Sequence, residues 1–202
     1  QLMSVQGPIA REARDVRLAL GTMAQKDARD PWWVPAPLDG PRLATPIKVA
    51  VCKTPTGIAC HEAVSKAIDQ AADHLANAGY AVVAKDPPLM AEIAESWRTL
   101  LFTDTKVMSE AAFRKYGSDD INQVLADYLA ASNVRDLDGY VHALADRTRL
   151  LRAWSMFMDD YPLALAPVSQ VPPFPQGEDL RGPGRVKEML DQQSMLYGIN
   201  LL

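Results

Sequence analysis

Two short β-rich runs and the helix between them form the clearest pattern in the chain. Residues 47–52 and 80–84 are rich in valine and alanine and have the length of buried strands. The residues between them, 61–78, end at Gly79 and repeat apolar positions at helical spacing: Ala63, Ala67, Ala71, Leu75 and Ala78. A strand, a helix and a strand of these lengths predict a βαβ unit with parallel strands.

The residues before this unit predict a helix and a long connector. Apolar residues recur at spacings of three and four over residues 11–25, which predicts the helix. The proline-rich residues 30–46 exclude helix and inner strand. We expect Trp32 and Trp33 to anchor this connector by packing, rather than to form a stacking platform for sugars or bases.

Helical periodicity resumes after the second strand and predicts at least three helices between residues 90 and 160. The first spans residues 91–116, and the second, capped by Ser118, runs to Ala131. The third begins at Asp136 or Asp138. Its charged residues are interpreted as a solvated face: Asp146, Arg147, Arg149 and Arg152.

The last segment predicts a third strand, a loop and a helix. Residues 163–168 form an apolar run between prolines, residues 172–177 are too rich in proline for regular structure, and residues 184–202 are again helical. The whole pattern predicts an α/β fold with a mixed sheet covered by helices.

Four segments are expected to be parts of one larger domain. Residues 1–46 form the first helix and the connector, and residues 47–84 form the βαβ unit. Residues 85–160 form the helical region, and residues 161–202 form the strand, loop and helix. Because the chain begins at Gln1 within structured sequence and stops in an apolar run, we expect an interior piece of a longer protein whose remainder completes the sheet.

Composition narrows the functional classes. The chain has 202 residues, of which 48% are hydrophobic and 23% charged, and its formal net charge is −4. These values are those of a globular protein, and the lack of a basic cluster argues against a nucleic-acid surface. No apolar run approaches the roughly 20 residues that cross a bilayer, and no signal-peptide pattern is present. We therefore predict a cytoplasmic protein that does not bind membranes.

Residue chemistry alone identifies no catalytic centre. The glycine-rich phosphate motifs and the G-x-S-x-G elbow are absent from the sequence. Cys60 and His61 are adjacent but lack the spacing of a zinc site, so neither a metal nor another cofactor is expected. Ser65 and Lys66 point about 100° apart on a helix, which prevents them from sharing a proton.

Several stretches resemble the amidase signature family of serine hydrolases, in order and from end to end. These are Gly7-Pro8-Ile9-Ala10-Arg11, Arg29-Asp30-Pro31, residues 47–51, residues 161–167 with residues 173–175, and Asn200-Leu201-Leu202. The resemblance implies a hydrolase of non-peptide amides with a Ser, bridging Ser and Lys triad, which forms an acyl-enzyme. The stretch with this triad would lie before Gln1, so no residue of this chain inherits a catalytic role.

Loops at the carboxyl ends of sheet strands usually hold ligands, which predicts residues near a small-molecule amide substrate. Phe174, on the loop after the third strand, is the first candidate, and Gln193 and Asn200 are the others. The alternative is that Phe174 only packs in the body of the protein and Gln193 lies on a solvated helix face. Val168 stands where many relatives have threonine, which changes the chemistry of this loop. The substrate and a homodimeric state are left open.

Two other interpretations are kept. The first is an amidotransferase subunit of the same fold. Such a subunit would be expected to recognise glutamine with an acidic side chain near the carboxy-terminal helix, but Gln192 and Gln193 stand there in this sequence. The second is a non-catalytic structural fragment.

Overall fold

The computed structural model describes residue 3 and residues 6–202. The chain divides into two compact units, Gln1–Ala44 and Thr45–Leu202.

The first unit contains one helix and the proline-rich connector. Helix α1 spans Ala13–Met23, within the predicted range. Trp33 is half-buried, and its ring N–H donates to the carbonyl oxygen of Ala24 at 3.0 Å, just after α1 ends. Trp32 is 78% exposed. The anchoring prediction is therefore confirmed for Trp33 and wrong for Trp32, whose side chain extends into solvent.

The second unit is built on a three-stranded parallel sheet. Strands β1, Lys48–Val51, β2, Ala81–Ala84, and β3, Leu163–Leu165, lie in the order β2-β1-β3. Val49 of the central strand is opposite Val82 on one side and Leu163 on the other. The predicted parallel pairing of the first two strands is confirmed.

Helix α2, Glu62–Asn77, connects β1 to β2. Its inward face contains Ile68, which is buried, and the half-buried Val64 and Leu75. The predicted apolar stripe is right at Ala71 and Leu75, which are half-buried, and wrong at Ala63, Ala67 and Ala78, which are exposed. The larger side chains bury more apolar area than alanine does, so they determine which face turns inward.

Four helices connect β2 to β3. They are α3, Met90–Met108; α4, Glu110–Tyr116; α5, Asp119–Ala130; and α6, Leu137–Asp160. The predicted helix over residues 91–116 is interrupted at Ser109, whose φ of −127° is not helical. The hydroxyl of Ser118 accepts from the N–H of Ile121, and Asp136 caps α6 through the N–H of Gly139. These caps confirm both predicted helix starts.

Two helices follow β3. Residues 166–177 form an irregular loop and Glu178–Leu180 a 3₁₀ turn, after which come α7, Pro183–Gln192, and α8, Ser194–Leu201. Helix α3 is the centre of the helical layer and packs against α8, α6 and α5. Its buried side chains include Met90, Ile93, Trp97 and Leu100.

The charged face predicted on α6 is only partly solvated. Arg149 and Asp146 form an exposed ion pair at 2.7 Å, as that interpretation requires. Arg147 instead is half-buried, and its Nε donates to the carbonyl oxygen of Leu201 at 2.7 Å. For Arg147 the prediction is wrong, because its guanidinium is held by a backbone carbonyl of α8 instead of being solvated.

Within residue 3 and residues 6–202, no helix combines the length and apolar character that a membrane span needs.

We predict that Gly198→Ala destabilises the protein by about 1–3 kcal/mol, because overpacking a filled helix interface displaces its neighbours. An added Cβ would lie 2.6 Å from Met90 Cε and 3.1 Å from Ile93 Cγ2 on α3. Urea-induced unfolding measures the change.

Gly184→Ala in α7 is the matched control, because a Cβ there meets no atom within 4 Å. It should leave the free energy of unfolding unchanged or raise it by up to about 1 kcal/mol, since alanine favours helix more than glycine does. Equal effects of the two substitutions would contradict the packing explanation.

Candidate functional site

The carboxyl ends of the three strands meet at one edge of the sheet. The N–H of Cys52 donates to the carbonyl oxygen of Leu165 at 3.0 Å, and the N–H of Lys85 donates to that of Val51 at 3.1 Å. The loops that follow the strands therefore begin side by side. In α/β proteins this edge is where ligands bind, so the loops after β1 and β3 form the candidate site.

Gln170 holds the loop after β3 in place. Its backbone N–H donates to the carbonyl oxygen of Gln192 at 2.9 Å, and its backbone carbonyl accepts from the N–H of His61 at 2.8 Å. Its side-chain Nε2 donates to the carbonyl oxygen of Ile58 at 2.8 Å, and only 2% of the residue is exposed. Sequence reasoning missed this residue, because glutamine in a polar loop is usually exposed.

Phe174 lies farther along the same loop and is half-buried. The guanidinium carbon of Arg185 on α7 is 5.6 Å from the centroid of its ring, which is a cation–π contact. Arg185 is held by Glu178 at 2.6 Å and by Glu188 at 2.9 Å. Hydrogen bonds from Arg181 and Arg185 lower the pKa of Glu178, which keeps this carboxyl group ionised.

Gln193 lies at the junction of α7 and α8 and is tied to an aromatic cluster. Its side-chain oxygen accepts a hydrogen bond from the hydroxyl of Tyr197. The Tyr197 ring stacks on Trp97 of α3, with centroids 4.4 Å apart, and burial raises the pKa of Tyr197 to about 12. The Gln193 side chain is therefore committed to an internal hydrogen bond.

The three predicted substrate residues lie at different places in the second unit. Gln193 directly precedes α8, and the half-buried Asn200 lies seven positions later, on the same side of α8 but about 10 Å farther along its axis. Phe174 contacts Arg185, which is eight residues before Gln193, or about 12 Å along the axis of α7. Phe174 and Gln193 therefore lie towards opposite ends of α7.

A cleft of about 440 Å³ lies at the carboxyl ends of β1 and β2. It is lined by Cys52 and Asp86, and by Lys53, whose Nζ is 2.7 Å from Oδ2 of Asp69. Burial, reinforced by a hydrogen bond to Asp86, raises the pKa of Cys52 to about 12. Its thiol is therefore protonated and unsuited to nucleophilic attack.

The other sequence candidates have structural roles. The Cys60 thiol donates to the carbonyl oxygen of Lys53 at 2.8 Å, and burial raises its pKa. The ring of His61 accepts from the N–H of Ala63 as the cap of α2. In the part of the chain that the structure describes, no three histidine, cysteine, aspartate or glutamate side chains cluster as metal ligands.

The family model described as Amidase matches residues 1–201, almost the entire chain. The chain belongs to the Amidase family. This result confirms the resemblance that the short motifs suggested. The fold of the solved structure named fatty acid amide hydrolase agrees with it, with a TM-score of 0.61 at 14% identity over 83% of this chain and 29% of that one. The α/β class is thereby confirmed.

Two curated relatives of this Amidase family chain are similar along most of its length. The indoleacetamide hydrolase of Bradyrhizobium diazoefficiens is 43% identical over 93% of the chain, and that of Bradyrhizobium japonicum is 43% identical over all of it. The chain spans 36% and 43% of the length of these relatives.

We predict that iodoacetamide at pH 8.5 alkylates Cys60 at least ten times faster than Cys52 in the folded protein. Cys52 is 3% exposed, and a pKa of about 12 leaves about one thiolate in three thousand at that pH. Mass spectrometry of quenched time points measures both rates, with Cys60→Ser as the control that isolates Cys52. In guanidinium chloride the two rates should become similar, whereas similar rates in the folded protein would contradict the burial of Cys52.

Proposed function

We propose that this chain is the carboxyl-side part of an amide hydrolase whose substrate is a small carboxamide attached to an aromatic ring, such as indoleacetamide. The observation that carries this proposal is the 43% identity to two indoleacetamide hydrolases over 93% and 100% of the chain. The aromatic ring of Phe174 on the loop after β3 is consistent with a substrate of this kind.

We further propose that the reaction proceeds through an acyl-enzyme on a serine outside this chain. As the serine oxygen attacks the amide carbonyl, its proton passes through a bridging serine to a lysine. The C–N bond breaks as that proton returns to the leaving ammonia, and water then hydrolyses the acyl ester to release the carboxylic acid and restore the serine hydroxyl. Two serine hydroxyls of this chain are already engaged by the backbone: Ser194 Oγ donates to the carbonyl oxygen of Asp191 at 2.6 Å and Ser155 Oγ to that of Leu151 at 3.0 Å, so neither faces a base.

The role proposed for this chain is to form one wall of the substrate pocket. Phe174 packs against the aromatic part of the substrate. Asn200, half-buried on the last turn of α8, supplies a polar group. Gln193 contributes to that wall indirectly, by holding Tyr197, because its side-chain oxygen already accepts a hydrogen bond from the tyrosine hydroxyl.

The exposed sheet supports the proposal that further polypeptide covers it. Val83 of β2 and Leu163 of β3, which the register places on opposite faces of the sheet at its two edge strands, are 38% and 39% exposed. Parallel sheets are almost always covered on both faces, so side chains of this type need a partner layer. The remainder of the same polypeptide is the proposed cover.

A serine-reactive fluorophosphonate tests the proposed location of the catalytic centre. Incubated with the complete polypeptide, it should label one serine, and peptide mapping should find that serine before Gln1. Indoleacetamide in excess should slow the labelling. A labelled serine within residues 1–202 would contradict the proposal. Conversion of glutamine to glutamate with amidation of a second substrate, and no hydrolysis of indoleacetamide, would favour the amidotransferase interpretation.

Phe174→Ala in the complete enzyme should raise KM for indoleacetamide about tenfold, because removing an aromatic contact in an apolar pocket costs roughly 1–3 kcal/mol. The KM for acetamide, which has no ring to contact Phe174, should be unchanged. Gln176→Ala, an exposed position in the same loop, is the matched control. Equal kinetic effects on the two amides would place Phe174 outside the pocket.

A further inference from the structure

We propose that Gln170 is a positioning residue that couples the loop carrying Phe174 to the β1–α2 loop and to the junction of α7 and α8. The effect of Gln170 on kinetics rests on the proposed function. The coupling of three segments by one buried amide is independent of the substrate.

Three separate parts of the chain meet at Gln170. The backbone bond to Gln192 connects it with the end of α7, and the bond from His61 connects it with the start of α2. The side-chain amide donates to Ile58, which is 112 positions away in sequence. Because the residue is 2% exposed, water does not compete for these bonds.

The side-chain bond is what requires a donor on the side chain at this position, and Nε2 of the Gln170 amide supplies it. Any residue can supply the backbone N–H and carbonyl, but only a long side chain with a donor can reach the carbonyl oxygen of Ile58 at 2.8 Å. Without the donor, that carbonyl loses its partner, and near Gln170 the β1–α2 loop keeps only the backbone bond from His61 to the loop after β3. The amide therefore fixes the distance between two loops at the carboxyl edge of the sheet.

The residues between Gln170 and Phe174 make the position of the Phe174 ring depend on the position of Gln170. Val171 is followed by Pro172 and Pro173, and the pyrrolidine ring fixes φ near −65° at both prolines. The backbone between Gln170 and Phe174 has few free dihedral angles, so a displacement at Gln170 moves the Phe174 ring. On the other side, Gln192 directly precedes Gln193, whose oxygen is bonded to Tyr197.

Hydrogen exchange of the complete protein tests the coupling without reference to activity. Gln170→Met keeps the length of the side chain and removes its donor. We expect amide exchange to rise about tenfold in peptides that cover residues 57–63 and 190–196, as well as in the loop itself. Gln176→Met, at an exposed position of the same loop, should change exchange in neither distant peptide. A rise confined to residues 169–177, or an equal rise throughout the chain, would overturn the coupling.

Steady-state kinetics tests the consequence for the substrate. Gln170→Met should raise KM for indoleacetamide about tenfold, change kcat less than threefold, and leave both constants for acetamide unchanged. A purely structural residue would lower the fraction of active enzyme and reduce kcat for both amides alike, and that result would overturn the positioning role. If Gln170→Met does not fold, Gln170→Asn, which keeps an amide on a shorter side chain, is measured in the same two assays.

Hydrogen exchange and steady-state kinetics together distinguish a failure of the proposed function from a failure of the positioning role of Gln170. If the complete wild-type protein hydrolyses no amide, the proposed function fails, and hydrogen exchange still decides whether Gln170 couples the three segments. If the wild type hydrolyses indoleacetamide and Gln170→Met leaves exchange and kinetics unchanged, only the positioning role is overturned.

Discussion

The parallel pairing of β1 with a strand on each side is the constraint on which the rest of the second unit depends. Val49 and Ala50 of β1 are each 1% exposed, so this short strand is buried. Because β2 and β3 both run parallel to it, their carboxyl ends reach the same edge. The helices between β2 and β3 must return the chain to the opposite edge of the sheet. These helices pack against one another and against α7 and α8.

The elements with strong local signals were predictable from the sequence. The β-rich runs gave the strands and their direction, and Ser118 and Asp136 marked helix starts because their side-chain oxygens can accept from a free N–H. The phase of α2 was not predictable from its alanines, which have little apolar area to bury. The interruption of the long helix at Ser109 also lacked a proline or glycine to mark it.

The candidate site was predictable only to the level of its loop. Phe174 stood out because it is an aromatic residue among prolines, yet its contact with Arg185 joins residues from two different elements. Gln170 gave no local signal, since its importance comes from partners 109 and 112 positions away, His61 and Ile58. Likewise, nothing in the periodicity of α6 separated Arg147, which binds the end of α8, from the exposed Arg149. Long-range pairing of polar groups leaves no pattern in the sequence.

The loop that carries Phe174 has a thermodynamic consequence for any molecule that binds against it. Proline precedes and follows Phe174, and Arg185 covers its ring, so the unbound loop has little conformational entropy to lose. Binding to such a surface avoids most of the ordering cost that a flexible loop would incur. A rigid loop cannot close around ligands of different shapes. It therefore selects those ligands whose shape already matches its surface.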